Sequence, residues 1–152
     1  MESLNKNKFL IGLSKSSQTS FGKIDFELQS PAQKVFSTIW SVESEVNNGG
    51  FVQYFCNSSA ETARFLVSAL TEIKAPKTAK ICGKAIALVF PSGLPTTSLE
   101  VSMIASQMDE KTESALRELD TEFCGYPHDL TELLYDFVVL HAGEFTTRLR
   151  SS

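Results

Sequence analysis

Residues 45–59, EVNNGGFVQYFCNSS, decide how this chain folds. An apolar pattern of helical spacing runs into them through Val35, Phe36, Ile39, Trp40 and Val46. Ser30 and Pro31 read as an N-cap and a first helical residue, so a helix is expected over 31–46. Asn47-Asn48-Gly49-Gly50 should end it, because Asn and Gly tolerate the left-handed backbone that closes many helices. At least one of these glycines is expected at positive φ. Residues 51–56 then read as a second, short helix, with Gln53 inside it and Asn57 just after it. Chain reversal alone does not ask for so many amides and aromatics in one place.

Working outward, Ser58 or Ser59 caps a third helix with Phe65, Leu66, Ala69, Leu70 and Ile73 inward. Pro76 starts a fourth, carrying Ala79, Cys82, Ile86, Val89 and Phe90, and Pro91 stops it. The loop PSGLPTT (91–97) is rich in turn residues, and Ser98 caps a short fifth helix after it. Asp109 opens a sixth, with Ala115, Leu116, Leu119 and Phe123, that ends at Gly125-Tyr126-Pro127. Asp129 caps the last, striped by Leu130, Leu133, Leu134, Phe137, Val138 and His141. No strand-like alternation appears after residue 30. The expected fold is mainly α, a single compact multi-helix domain of about seven helices with short connections. Residues 1–29 read as a polar N-terminal tail, linker-like at SKSSQTS, followed by a short irregular or extended segment around Phe21, Ile24, Phe26 and Leu28. The helical domain is expected over 30–146, with 147–152 a C-terminal tail.

A chain of 152 residues with 42% hydrophobic and 21% charged content suits one soluble globular domain with one core. Its longest apolar runs, 9–13 and 85–90, fall far short of the ~20 residues a membrane span needs. The first is also too short for a signal-peptide core, so a cytoplasmic location is expected. Cys56, Cys82 and Cys124 cannot all pair and form no metal-type spacing; free, buried, unreactive thiols are expected.

Charge is divided along the chain. The net charge of −4 conceals a segment, 100–144, in which eleven acids face Lys111 and Arg117 alone. Within it Glu118 and Glu122 are four apart, and Asp129, Glu132 and Asp136 three and four apart, so carboxylates align in rows. Like charges at that spacing cost an isolated helix about 0.2–0.5 kcal/mol per pair. A solvated face explains such rows, and so does a surface that meets a basic partner.

EVNNGGFVQYFCNSS, Phe90-Pro91 and LDTEFCGYPHDLTELLYDFVVLH (119–141) together resemble a bacterial family of helical domains named for a DNA-mimic protein. Lys74 stands where that family often has glycine. The resemblance spans roughly 30–145 and implies a helical fold. It also implies a non-enzymatic, protein-binding role, in which an acidic protein occupies the DNA-binding surface of a regulator. On that implication Glu118, Glu122, Asp129, Glu132 and Asp136 form an acidic face for a basic protein partner, which a DNA-binding protein would provide. Direct nucleic-acid binding is not expected, because this half repels phosphate. A homo-oligomer is compatible with the sequence.

Two other readings stand beside it. The Asn47, Asn48, Gly49, Gly50, Phe51, Gln53 and Asn57 corner reads first as a hydrogen-bonded lock between helices. Alternatively Asn47, Asn48, Gln53, Tyr54 and Asn57 line a pocket for a small ligand or peptide, or the whole chain is a structural module. Asn and Gln are poor acid–base groups, and no titratable partner is evident near them in sequence. Glu43 and Glu45, two apart, cannot share a helical face as a catalytic pair on their own helix. His128 and His141 lack the further ligand a metal site needs, and no nucleophile elbow or phosphate loop occurs. No catalytic residue, metal or cofactor is therefore expected.

Overall fold

The computed structural model describes residues 3–15 and 24–145. Its central element is α2, Pro31–Cys56, on which most other helices pack. Ser30 and Gln33 start it with a reciprocal capping box: Gln33 N–H donates to Ser30 Oγ (3.3 Å) and Ser30 N–H donates to Gln33 Oε1 (2.9 Å). The Gln33 amide also donates to the Glu144 carbonyl at 2.7 Å, tying the far end of the chain to this start. Contrary to expectation, the helix runs on through Asn47, Asn48 and Gly49. It breaks only at Gly50, with φ 78° and ψ −178°, and resumes over 51–56. Glycine was therefore needed at positive φ, at the second of the pair.

The expected third helix begins in a different form. Ser58–Phe65 winds as a 3-10 helix preceded by Asn57, and becomes α-helical only over α3, Leu66–Glu72. Helix α3 closes in a Schellman motif: Ala75 N–H donates to Leu70 O (2.8 Å) and Lys74 N–H to Thr71 O (3.0 Å), with Lys74 at φ 69°. Leu70 and Ala75, at the positions of the motif's apolar contact, are both buried. Four more elements follow as α4 (Pro76–Val89), α5 (Ser98–Ala105), α6 (Glu110–Cys124) and α7 (Leu130–Leu140). Thr97, not Ser98, caps α5, while Asp109 and Asp129 cap α6 and α7 as expected. A last turn, α8, covers Ala142–Phe145.

The N-terminal expectation is corrected. Ser3–Ser14 forms a helix, α1, that packs on α7 and buries Leu10 and Leu13. Exposed Phe9 and Ile11 flank Leu10 in the sequence, so the buried pair stands in no clear helical stripe. Residues 24–30 are irregular around a 3-10 turn, Phe26–Leu28, and Phe21 and the 147–152 tail lie outside the described residues.

The 3-10 segment, α3, α5 and α6 surround α2, and α4 packs across α3 and α6. The core centres on aromatics from three elements. Phe51 meets Phe123 edge-on at 5.8 Å, and Phe55 meets Phe90 at 5.3 Å. Among the described residues there is no strand, and no helix is long and apolar enough to cross a membrane. The thiols divide: Cys82 is buried as expected, but Cys56 is only half-buried and Cys124 is exposed at the end of α6.

Candidate functional site

The break at Gly50 organises the corner. It leaves the Phe51 N–H pointing toward α6, where Asp120 Oδ1 accepts it at 2.8 Å. A Cβ at Gly50 would run into that carboxylate, so the glycine answers both to its φ and to the approach of α6. One residue earlier, a Cβ at Gly49 would run into the Gln53 side chain, which folds across the glycine toward Glu45. Phe51 itself is core.

Glu45 is the hub of the amides. It accepts from Gln53 Nε2 at 2.6 Å, Ser59 Oγ at 2.8 Å and Asn57 Nδ2 at 3.3 Å, while Asn48 Nδ2 reaches Gln53 Oε1 at 3.4 Å. Partial burial pushes the Glu45 carboxyl up, but the bonds from Gln53, Ser59 and Asn57 together hold it below the usual range. Asn47 faces the other way. Its Nδ2 donates to Tyr126 Oη at 2.7 Å, the Tyr126 hydroxyl donates to Glu43 Oε1 at 3.1 Å, and Cys124 Sγ donates to Asn47 Oδ1 at 3.3 Å. Burial, reinforced by the nearby Asp129 charge, raises Glu43, while the bond from Tyr126 opposes it. Burial and this neighbourhood push the Tyr126 phenol up to about 12. Tyr54 lies apart from these amides, its ring in the core and its hydroxyl on Thr62 at 2.5 Å.

The corner thus places its amides on carboxylates of its own chain. Glu43, Glu45 and Asp120 are the members that sequence reasoning missed. Glu45 and Gln53 stand eight apart, about 12 Å along an unbroken helix, so it is the break at Gly50 that lets them meet, and no local spacing signals it. Asp120 and Tyr126 come from another helix and its exit, so no local pattern marks them. Tyr126 is held at φ 48°, its ring against Phe123 of α6 and its hydroxyl reaching Asn47 and Glu43 of α2.

The acidic residues fall in two places. Glu118 and Glu122 are exposed on α6, beside a groove of about 470 Å³ whose far wall is Lys84, Ala87 and Leu88 of α4. Asp129 caps α7 by accepting from the Glu132 N–H at 3.1 Å. Glu132 is ion-paired with Lys6 of α1, and the Asp136 charge also acts on Lys6. Helix α6 packs on α4 and α2, and α7 on α1 and α2, so the five carboxylates form two rows, one of them part-covered.

Both histidines have backbone partners. His128 Nε2 accepts from Lys77 N–H at 3.1 Å at the start of α4, and His141 Nδ1 lies 3.0 Å from the Phe137 carbonyl at the end of α7. Among the described residues no three His, Cys, Asp or Glu side chains are placed to hold a metal.

The family model of the DMP19-like proteins matches residues 27–141. No curated protein and no solved structure matches the chain.

Proposed function

This chain belongs to the DMP19-like protein family, a family of DNA mimics, and on that premise we propose that it binds a protein through the carboxylates of α6 and α7. The partner's face is basic, and it is one that otherwise holds DNA. The observation that carries the reading is the exposed pair Glu118 and Glu122, one turn apart on α6, with Asp129 and Asp136 exposed in a second row on α7. Carboxylates on successive turns stand roughly 5–6 Å apart, of the order of phosphate spacing along a strand. Such a row raises the association rate with a basic surface and selects against acidic ones.

The amide corner supports a different role. Gln53, Asn57 and Asn48 are turned onto Glu45 or one another, and Asn47 onto Tyr126, so the corner fits a lock between α2 and α6 better than a ligand pocket.

The test is capture of DNA-binding proteins on the immobilised chain, followed by competition with duplex DNA on the partner identified. Binding should weaken with salt, yield to duplex DNA, and fall when Glu118, Glu122, Asp129 and Asp136 are changed to Gln or Asn. A partner that ignores all three treatments, yet is lost with a folded Gln53→Ala variant, overturns the acidic reading in favour of the amide corner.

A further inference from the structure

The outer surface of α7 is already occupied by something of the chemistry a basic partner would bring. Glu132, Tyr135 and Asp136 stand at i, i+3 and i+4 on that helix. Over the first two lies α1, SLNKNKFLIGLS, which contains Lys6 and Lys8 and no acid, while Asp136 stays exposed and its charge acts on Lys6. Lys6 is 9% exposed; its ammonium pairs with Glu132 and sits 5.1 Å above the Tyr135 ring. Phe9 meets the same ring edge-on at 5.5 Å, and Leu10 and Leu13 enter the core beside it. The contacts therefore recur at i, i+3, i+4 and i+7, as an amphipathic helix makes them in a groove.

Three features set α1 apart from the rest of the bundle. It lies N-terminal to the span matched by the family, 27–141, and residues 16–23 join it to the remainder. It packs on α7 rather than on the central α2. Twelve residues are too few to hold a stable helix alone in water, so its helicity depends on this seat.

We infer that α1 is a displaceable internal ligand. The Glu132–Tyr135–Asp136 surface recognises a basic amphipathic helix, and α1 covers it until a partner's helix of that kind takes its place. The inference rests on the reading of α7 as a partner-docking helix and specifies what that helix takes: a lysine, then an aromatic or aliphatic side chain three and four residues on, then a leucine.

The probe is a fluorescent peptide of residues 3–15, titrated by anisotropy into three full-length receptors: the wild-type chain, a Leu10→Asp/Leu13→Asp chain that releases its own α1, and that chain with Glu132→Lys added. Release should tighten peptide binding at least tenfold, and Glu132→Lys should abolish the gain. Equal affinity for all three receptors, or a gain indifferent to Glu132→Lys, overturns the proposal. If the released chain fails to fold by circular dichroism, hydrogen exchange on the wild-type chain decides. Amides of α1 exchanging at least tenfold faster than the buried amides of α2 support a displaceable helix, and exchange of α1 only with global unfolding overturns it. Neither measurement needs the DNA-binding partner. Failure of the docking reading would show instead as a captured partner that duplex DNA does not displace.

Discussion

Glu43 and Glu45, two residues apart on α2, meet opposite surroundings. Glu45 is held low in the folded state, against partial burial, by donors from Gln53, Ser59 and Asn57. Its stabilisation is therefore present above the unfolded value, about 4.3, and is lost as pH falls through the folded one. Glu43 is raised by burial, so the folded chain holds its proton longer than the unfolded chain, and stability declines as pH rises from about 4.3 through the folded value. Thermal unfolding between pH 3 and 7 separates them. Glu45→Gln should destabilise by about 1 kcal/mol at pH 7, with the difference closing in acid. Glu43→Gln should gain on the wild type as pH rises above about 4.3. The glycines differ as well. Gly50→Ala should cost about 1–3 kcal/mol for its φ alone, and more because Asp120 must move. Gly49→Ala should be costly only while Gln53 is present, since the side chain it displaces is the one that reaches Glu45. A double-mutant cycle with Gln53→Ala checks this: additive effects would show that Gln53 does not set the cost.

At the scale of elements, helix ends were legible where the chemistry is local. Ser30, Asp109 and Asp129 cap as their positions promise, and Pro31 and Pro76 open helices because their missing N–H is no loss there. Ser30→Ala should cost about 0.5–2 kcal/mol, as part of a capping box whose Gln33 also holds the Glu144 carbonyl. Lys74 shows a left-handed end filled by a residue other than glycine. Lys74→Gly removes roughly 1–2 kcal/mol of steric cost but adds freedom to the unfolded chain, so a gain of up to about 1 kcal/mol is expected in denaturant melts. Helix α1 was not legible. Its buried face is Lys6, Leu10 and Leu13, but Phe9 and Ile11 on either side of Leu10 are exposed, so the apolar residues mark no single stripe in the sequence.

Across the whole molecule, the eleven acids of 100–144 do not act as one surface. Asp120 takes the Phe51 N–H, Glu113 pairs with Arg117, and Glu132 pairs with Lys6, while Glu118 and Glu122 stay exposed. Neutralising Glu118, Glu122, Asp129 and Asp136 should slow association with a basic partner and leave helix content by circular dichroism unchanged. The same partner's binding should weaken as salt rises, since exposed charges are screened over about 10 Å at 0.1 M. Glu132→Gln belongs to another class, because it uncouples Lys6 and should loosen α1 before it touches any partner. Protection of α1 amides from exchange, compared between the two sets of variants, distinguishes them.

The sequence by itself determined the helical class, most helix ends and a glycine at positive φ, because caps, prolines and apolar periodicity act over a few residues. It also carried the family, whose model matches residues 27–141. Only the tertiary structure decided which groups the Asn-Asn-Gly-Gly stretch meets. Asp120 and Tyr126, roughly seventy to eighty residues downstream, meet the Phe51 N–H and the Asn47 amide, and Lys6, at the other end of the chain, pairs with Glu132 in one of the two acidic rows. These partners meet through hydrogen bonds and charge at long separation in the chain, and interactions of that range leave no period in a sequence.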